Sequence, residues 1–426
     1  MTGKLLDDCF AYDKKRLRHD EALAILKSRL VPVAGQEAVA VSQAVGRILA
    51  TPVRAVQPVP AHRNAAVDGF SFAATDRSTA DGVTLPLEGR AAAGHALPRA
   101  PRPGVAVRIF TGAAMPEGHD TVVLQEDVGL TAGERGQQAV TVPPGLKAGA
   151  NVRNAGEDVA AGELVLDAGS VLRPQDLAAL ASLGLAEVAC SRRLSVGIVS
   201  SGDEVIRAGQ PLGAGQVYDA NAPMLAALVA SAGAAPVDLG VMPDSLEQVR
   251  ASLQKAATRV DVIIASGGTS RGEEDHLVGA LDQVGKRHLW QLAIKPGRPM
   301  SFGQVGDCVV MGLPGNPVAV FVCFLLYAWP MLRRLGGGAW PEPRRYRLPA
   351  AFAFPNRKLG RREFWRGMLR ETADGLAVDK FARDGSGLIS GLRAADGLID
   401  IPEDTPEVRP GDLVSFIPFS EYGLVR

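Results

Sequence analysis

From Asp261 the chain reads Val262-Ile263-Ile264, a short β-branched run. It then breaks into Ala265-Ser266-Gly267-Gly268-Thr269-Ser270-Arg271-Gly272-Glu273-Glu274-Asp275, and helical spacing resumes at about Leu277. Two other stretches repeat the design. Val196–Val199 lead into Ser200-Ser201-Gly202-Asp203-Glu204, and Val309–Met311 lead into Gly312-Leu313-Pro314-Gly315-Asn316-Pro317 and an apolar helical stretch. A strand that ends in a tight small-residue loop before a helix is the building unit of parallel α/β sheets. A helical pattern from Ser245 to about Ala257, after Met242-Pro243-Asp244, adds a further unit. Residues 192–338 are therefore predicted to form a doubly wound, mostly parallel sheet domain, whose loops gather at the carboxyl edge where ligands bind.

The remaining patterns divide the chain further. Residues 8–58 read as helical. An amphipathic stretch starts at His19, Glu21, Ala22, Leu23, Ile25 and Leu26, and a second helix is expected over Val39–Ala50, ending before Thr51-Pro52. Residues 59–150 turn to short runs of Val, Gly, Pro and Thr, which predict a small β domain. Residues 151–191 return to helix at Pro174–Leu183, so the β domain reads as an insertion into a discontinuous helical domain. Beyond Gly336-Gly337-Gly338, residues 339–426 carry strand patterns at Tyr346–Phe354, Glu363–Glu371, Leu376–Phe381 and Asp412–Pro418, the signature of a small C-terminal β-barrel. The fold class expected is a multidomain α/β protein.

Composition narrows the function classes. A chain of 426 residues exceeds one compact core. Its 46 basic and 46 acidic residues balance, which argues against nucleic acid as a partner. The start, MTGKLLDDCFAYDKK, has no apolar stretch of the signal-peptide kind, and a cytoplasmic location is expected. The longest apolar run, Val318–Leu332, contains Pro330 and is short of the roughly 20 residues a membrane span needs, so it reads as a buried helix and no membrane association is expected. Cys9, Cys190, Cys308 and Cys323 are scattered, as reduced buried thiols would be, and no HxH or HExxH spacing supports a zinc site. There is no GxxxxGK[ST] or GxGxxG, and no GxSxG elbow.

The candidate chemistry collects at the loops. Glycine turns ahead of helices let backbone N–H groups approach an anion, favoured by the helix dipole. Asp275 places a carboxylate in such a loop, which suggests either a bridging divalent metal or a helix cap. Ile294-Lys295-Pro296-Gly297-Arg298-Pro299 is a stiff basic corner between the second and third loops. The expected result is one phosphate-binding pocket of mixed charge. Other positions carry two readings each. Asp68-Gly69 is a turn pair by itself, Thr111-Gly112 a strand end, and Arg153 with Glu157 and Asp158 a surface ion pair in a glycine turn. Asp244 reads locally as an N-cap.

In this order and spacing, SSGDE, YDAN (Tyr218–Asn221), SGGTSRGEED, AIKPGRP and GLPGNP resemble the molybdopterin molybdenumtransferase family, which includes gephyrin, over nearly the whole chain. The resemblance implies an enzyme, a transferase of molybdenum cofactor biosynthesis that inserts molybdate into adenylylated molybdopterin and releases AMP. It implies catalytic roles for Asp68, Thr111, Asp158, Glu204, Asp244 and Asp275. Substrate contacts are implied for Arg153, Gly202, Ser266, Gly267, Gly268, Lys295, Arg298, Pro314 and Pro317. In the last domain, Phe364-Trp365-Arg366 and Gly385-Ser386-Gly387 match a family pattern, which adds Arg366 and Ser386, although a purely structural barrel would read the same way. Mg²⁺ is the implied cofactor, with Asp244 and Asp275 as its ligands, since it takes one or two carboxylates plus substrate phosphates. Adenylylated molybdopterin and molybdate are the implied substrates, with a molybdopterin adenylyltransferase as a protein partner. A homodimer is expected, because Asp68, Thr111 and the Gly267 loop lie in different domains.

Departures from the family pattern are local. Ala65 and Val67 replace a serine and a methionine beside Asp68. Gln291 stands where several members carry lysine, Ala319 replaces a serine, and Arg298 replaces a lysine, which keeps charge but changes donor geometry. These leave a specialised paralogue as one alternative, with adenylyl transfer to molybdopterin or a non-catalytic scaffold as others.

Overall fold

A computed structural model describes residues 16–76, 82–132, 137–267 and 276–424, with the backbone alone for 287–290. Helix α1 (His19–Arg29) buries His19, Ala22 and Leu26, one face at the helical repeat. That face packs into the core of the α/β domain, with Leu17 and Leu30 alongside it.

The helix expected over Val39–Ala50 is absent. Gln36–Ala40 is a strand antiparallel to Glu187–Ser191, Val41–Gln43 form a single 3₁₀ turn, and Ile48 and Leu49 bridge to Val171 and Cys190. The apolar residues at 39, 41, 44 and 49 mimic helical spacing. They point instead into a separate small core with Leu172, Leu180, Val188 and Cys190. Partners some 150 residues away decide the conformation, and a local pattern cannot encode them. The segments flanking the inserted domain are thus mostly strand pairs. Val53–Arg54 pair with Leu164–Leu166, and Asn64–Ala65 with Val152–Arg153. Helix α2 (Pro174–Ser182) stands where it was expected, with Pro174 in its first turn and Asp176 accepting the Arg173 N–H at 2.8 Å. The helical description of this domain is corrected accordingly, since α1 belongs to another core.

The insertion is a six-stranded sheet in the order Thr121–Leu124, Gly69–Phe72, Ala106–Ile109, Val83–Ala91, Gln138–Val142 and Gly129–Ala132. Two small apolar clusters flank it, one around Phe70 and Phe72 and one around Ile109 and Val122.

The α/β domain has a mixed six-stranded sheet. Ala235–Met242, Ser195–Ser201, Val262–Ser266 and Cys308–Leu313 run parallel, and Pro299–Val305 and Lys286–Gln291 complete it antiparallel. Side chains alternate between two cores, as the period of two requires. Val196, Ile198, Val262, Ile264, Val309 and Met311 face α3 (Asn221–Ser231), whereas Val199, Ile263, Ala265 and Val310 face α4 (Leu246–Ala257) and α5 (His276–Val284). Helices on both faces make the domain doubly wound. The apolar run continues α6 (Pro317–Cys323) through a π turn (Phe324–Ala328) into α7 (Trp329–Leu335). Pro330 has no N–H for the ladder, and the wider turn ahead of it accommodates that loss. This 19-residue stretch is apolar enough to cross a membrane by composition, yet 83% of its most apolar window is buried, and it serves as the central helix of the larger core.

In the C-terminal domain the strand order is Arg362–Thr372, Gly397–Ile401, Leu413–Pro418, Tyr346–Pro349, with Gly375–Lys380 on the other side of Arg362–Thr372. A bridge from Ala350 to Val378 joins the two ends of this series around Trp365, Val378, Ile399 and Phe416. One further strand, Ile294–Lys295, comes from the α/β domain and pairs in parallel with Arg362–Glu363. That graft fixes the two domains edge to edge and sets up the site between them.

Candidate active site

The carboxyl ends of the parallel strands open into a cleft of about 1040 Å³, walled on the far side by the C-terminal domain. Its α/β wall is made of the three predicted loops, through Gly202 and Glu204, Ser266 and Gly267, and Pro314 to Pro317. Gly267 holds φ at +91°, and a Cβ there would lie 2.8 Å from the Ser201 carbonyl oxygen, so glycine is a condition of the two loops meeting.

Two residues tie these loops together. Ser200 Oγ donates to Asp219 Oδ2 at 2.6 Å, and Arg207 lies 3.1 Å from the same oxygen. Asp219 Oδ1 accepts the N–H groups of Asn221 and Ala222 at 3.1 and 3.0 Å, closing the first turn of α3. The Asn221 amide in turn donates to Ser266 Oγ at 2.8 Å and to the Gly315 carbonyl at 2.7 Å. Its Oδ1 is buried and has no partner among the described residues. The YDAN segment was legible as a motif, but the positions of Asp219 and Asn221 were not among the candidate site residues. Their signal was polar residues opening an apolar helix directly after a strand end.

Asp244 also lines the cleft, but it is not the cap of α4. Ser245 occupies that position, and Asp244 Oδ2 accepts the Asp203 N–H instead. The corner at Lys295 reaches the cleft floor with Pro296 and Gly297. Gly297, at φ +106°, lies against Cys323 in α6, where a Cβ would overlap the sulfur. Arg298, expected as a substrate contact, is exposed and is not among the described residues that line the cleft.

The opposite wall supplies Arg366, Lys380, Phe381 and Ser386. Arg366 donates from Nη1 to the Leu388 carbonyl at 3.0 Å and from Nη2 to the Arg383 carbonyl at 2.5 Å, and it stacks over Phe381 at 4.9 Å. Burial lowers its affinity for the proton. Lys380 is paired with Asp384 and lies over the Trp365 ring at 5.6 Å. Ser386 contributes its carbonyl, which accepts the Val318 N–H in the first turn of α6 at 3.0 Å.

Four candidates stand apart from this cleft. Asp68 and Thr111 meet on the inserted sheet, where the Thr111 N–H and hydroxyl both donate to Asp68 Oδ1, at 2.8 and 2.7 Å. The Thr111 N–H, then its hydroxyl, hold the Asp68 carboxyl below its ordinary pKa. Arg153 and Asp158 are exposed beside the strand pair that joins the insertion. Gly268 and Asp275 lie outside the described residues.

A doubly wound domain with its cleft at the strand ends, closed by a strand-linked second domain, defines a multidomain α/β protein with a ligand cleft between two domains. Residues 197–334 match the probable molybdopterin binding domain, 17–184 the MoeA N-terminal region (domain I and II), and 347–419 the MoeA C-terminal region (domain IV). The chain is 36% identical to the molybdopterin molybdenumtransferase of Haemophilus influenzae, covering 89% of this chain and 92% of that one. It is 36% identical to molybdopterin molybdenumtransferase 2 of Mycobacterium tuberculosis, covering 88% and 92%. It superposes on the crystal structure of the molybdopterin biosynthesis moeA protein from Pyrococcus horikoshii with a TM-score of 0.79 at 29% identity, covering 95% of this chain and 100% of that one. The chain belongs to the molybdopterin molybdenumtransferase family.

Proposed function

We propose that this protein inserts molybdate into adenylylated molybdopterin and releases AMP. The observation that carries the reading is the make-up of the cleft in a chain of this family. Small-residue loops at strand ends face the cations Lys295, Arg366 and Lys380 across a space of about 1040 Å³. A pyrophosphate-linked pterin and a tetrahedral dianion both need N–H donors and cations that are already in place, and charge-assisted hydrogen bonds are the stronger kind. Glu204 and Asp244 put carboxylate oxygens on the same wall.

Among the described residues no three His, Cys, Asp or Glu side chains gather as a metal cage. The carboxylates of Glu204 and Asp244 on the cleft wall fit Mg²⁺, which keeps water and binds through one or two carboxylates together with substrate phosphates. Asp244 would hold it, with Asp275 as second ligand. When bound, Mg²⁺ draws charge from the phosphoanhydride and makes AMP a better leaving group. The chain's own part is to hold the anhydride along the Gly202 and Gly267 loops and the oxyanion at Lys295 and Arg366.

Asp68, Thr111, Arg153 and Asp158 belong to this reading through a second copy, whose inserted sheet covers the cleft. The five segments, with boundaries near 58, 150, 191 and 338 and a C-terminal barrel, go with it. The test is AMP release from adenylylated molybdopterin with and without molybdate. Molybdate-dependent release supports the reading. Consumption of ATP with free molybdopterin, and no molybdate-dependent release, would replace it with adenylyl transfer.

A further inference from the structure

We infer that Glu363 is a positioning residue that fixes the Lys295 ammonium at the oxyanion subsite of the cleft; this deepens the molybdate-insertion reading and rests on it. Lys295 and Glu363 are direct partners across the parallel pairing that joins the α/β and C-terminal domains. Glu363 is 1% exposed, and its two oxygens have separate tasks. Oε1 accepts from Arg361 Nε at 3.0 Å and lies 3.8 Å from Arg357 Nη1. Oε2 accepts the Trp365 indole N–H at 2.9 Å and faces Lys295 Nζ at 3.6 Å.

The arginine side of this arrangement is rigid. Arg357 is itself buried, and its guanidinium is spent on the carbonyls of Thr405, Arg361 and Pro402. Trp365 is wedged against Phe352 and Phe354. The carboxylate therefore cannot turn, and Oε2 is presented at one place. A separation of 3.6 Å is an ion-pair distance that is too long for a hydrogen bond, so the contact places the ammonium by charge without consuming one of its N–H donors. A lysine head on a four-carbon stem otherwise samples many positions. A donor already in place loses less freedom when the anion arrives. A buried carboxylate thus serves anion binding from behind the cation.

The experiment compares Glu363→Gln with Arg361→Gln, which removes a partner of Oε1 alone. Glu363→Gln is expected to raise the molybdate concentration for half-maximal AMP release about tenfold, the loss of roughly one charge-assisted hydrogen bond, with kcat within about twofold. Arg361→Gln should leave that concentration within about twofold while lowering the melting temperature. Should Glu363→Gln fail to fold, Trp365→Phe frees the same oxygen and is expected to move the molybdate dependence in the same direction. A folded Glu363→Gln with unchanged or tighter oxyanion dependence, or Arg361→Gln weakening it equally, overturns the inference. Lack of molybdate-dependent release by the unmodified protein counts against the insertion reading alone. Calorimetric titration with tungstate, compared between the unmodified protein and Glu363→Gln, still decides the positioning role without turnover.

Discussion

Asp203 and Asp244 cap one another. Asp244 Oδ2 accepts the Asp203 N–H at 3.1 Å, and Asp203 Oδ1 accepts the Asp244 N–H at 3.1 Å. The pair locks the loop after Ser195–Ser201 to the loop after Ala235–Met242. Each carboxylate keeps an oxygen that this reciprocal pair does not use.

That relationship separates two roles of Asp244. Asp244→Asn retains an acceptor for the Asp203 N–H, so stability should change by less than about 0.5 kcal/mol, whereas Asp244→Ala should cost about 1 kcal/mol. AMP release by Asp244→Asn should nevertheless fall tenfold or more, as roughly expected for disturbing a metal site. Denaturant melts and an AMP assay measure both. Full activity of Asp244→Asn would remove it from the chemistry.

Molybdate dependence should follow the lining of the cleft. Lys295→Ala and Arg366→Ala are each expected to raise the half-saturating molybdate concentration about tenfold, or roughly 1.4 kcal/mol. Arg298→Ala should shift it by less than about twofold, since a surface charge away from the subsite contributes little. Ala319→Ser should lower it by adding a donor on the cleft wall. A large effect of Arg298→Ala would place the anion elsewhere.

Asn221→Asp replaces an amide that donates to Ser266 and Gly315 with a carboxylate facing a carbonyl. The cost should be on the order of 3 kcal/mol, from lost donors and a buried charge. A chemical melt that moves by less than about 1 kcal/mol would show that these loops do not depend on Asn221.

His19 is fully buried, with Nδ1 2.9 Å from the Tyr327 hydroxyl, and burial first, then Arg362, lower its pKa from 6.5 to about 4. Its folded pKa lies below its unfolded one, so the contribution is intact above pH 6.5 and is lost as pH falls toward 4. The full span corresponds to about 3 kcal/mol. Urea melts between pH 7 and 4 should show a shallower decline for His19→Phe than for the unmodified protein. Equal slopes would mean that His19 takes up its proton in the folded protein as readily as in the unfolded one.

Asp68 allows a spectroscopic check. Thr111→Val removes the hydroxyl donor and keeps the N–H, so the Asp68 carboxyl should titrate at higher pH than in the unmodified protein. Whatever stability that depressed pKa contributes is present above the unfolded value and lost as pH falls through the folded one. Carbon NMR of the carboxyl group follows the shift. No movement would mean the backbone donor alone sets it.

Much of this protein is readable from local pattern. The β-branched runs at Val196, Val262 and Val309 specify buried strands, and glycine after the first two is required by the turn that follows, where Gly202 and Gly267 hold φ at +135° and +91°. The order of loops along the chain then implies a common edge, because a doubly wound sheet with right-handed crossovers has one place for them. Val318–Leu332 was readable as buried for the same reason, since so apolar a helix needs cover on every side.

Other features depend on residues distant in sequence, and no local pattern holds them. Val39–Ala50 carry helical spacing, yet Val39 and Ala40 pair with Val188 and Glu187, and Ile48 and Leu49 bridge to Val171 and Cys190, because strand edges far along the chain satisfy their backbone better than an isolated helix would. Lys295 and Arg298 look alike in KPGRP. The strand pairing of Ile294–Lys295 with Arg362–Glu363 brings the first into the described lining of the cleft, while the second is exposed. Chain chemistry determines which groups exist and which short elements form. Side-chain direction and long-range pairing, which are properties of the packed whole, determine which of those groups meet.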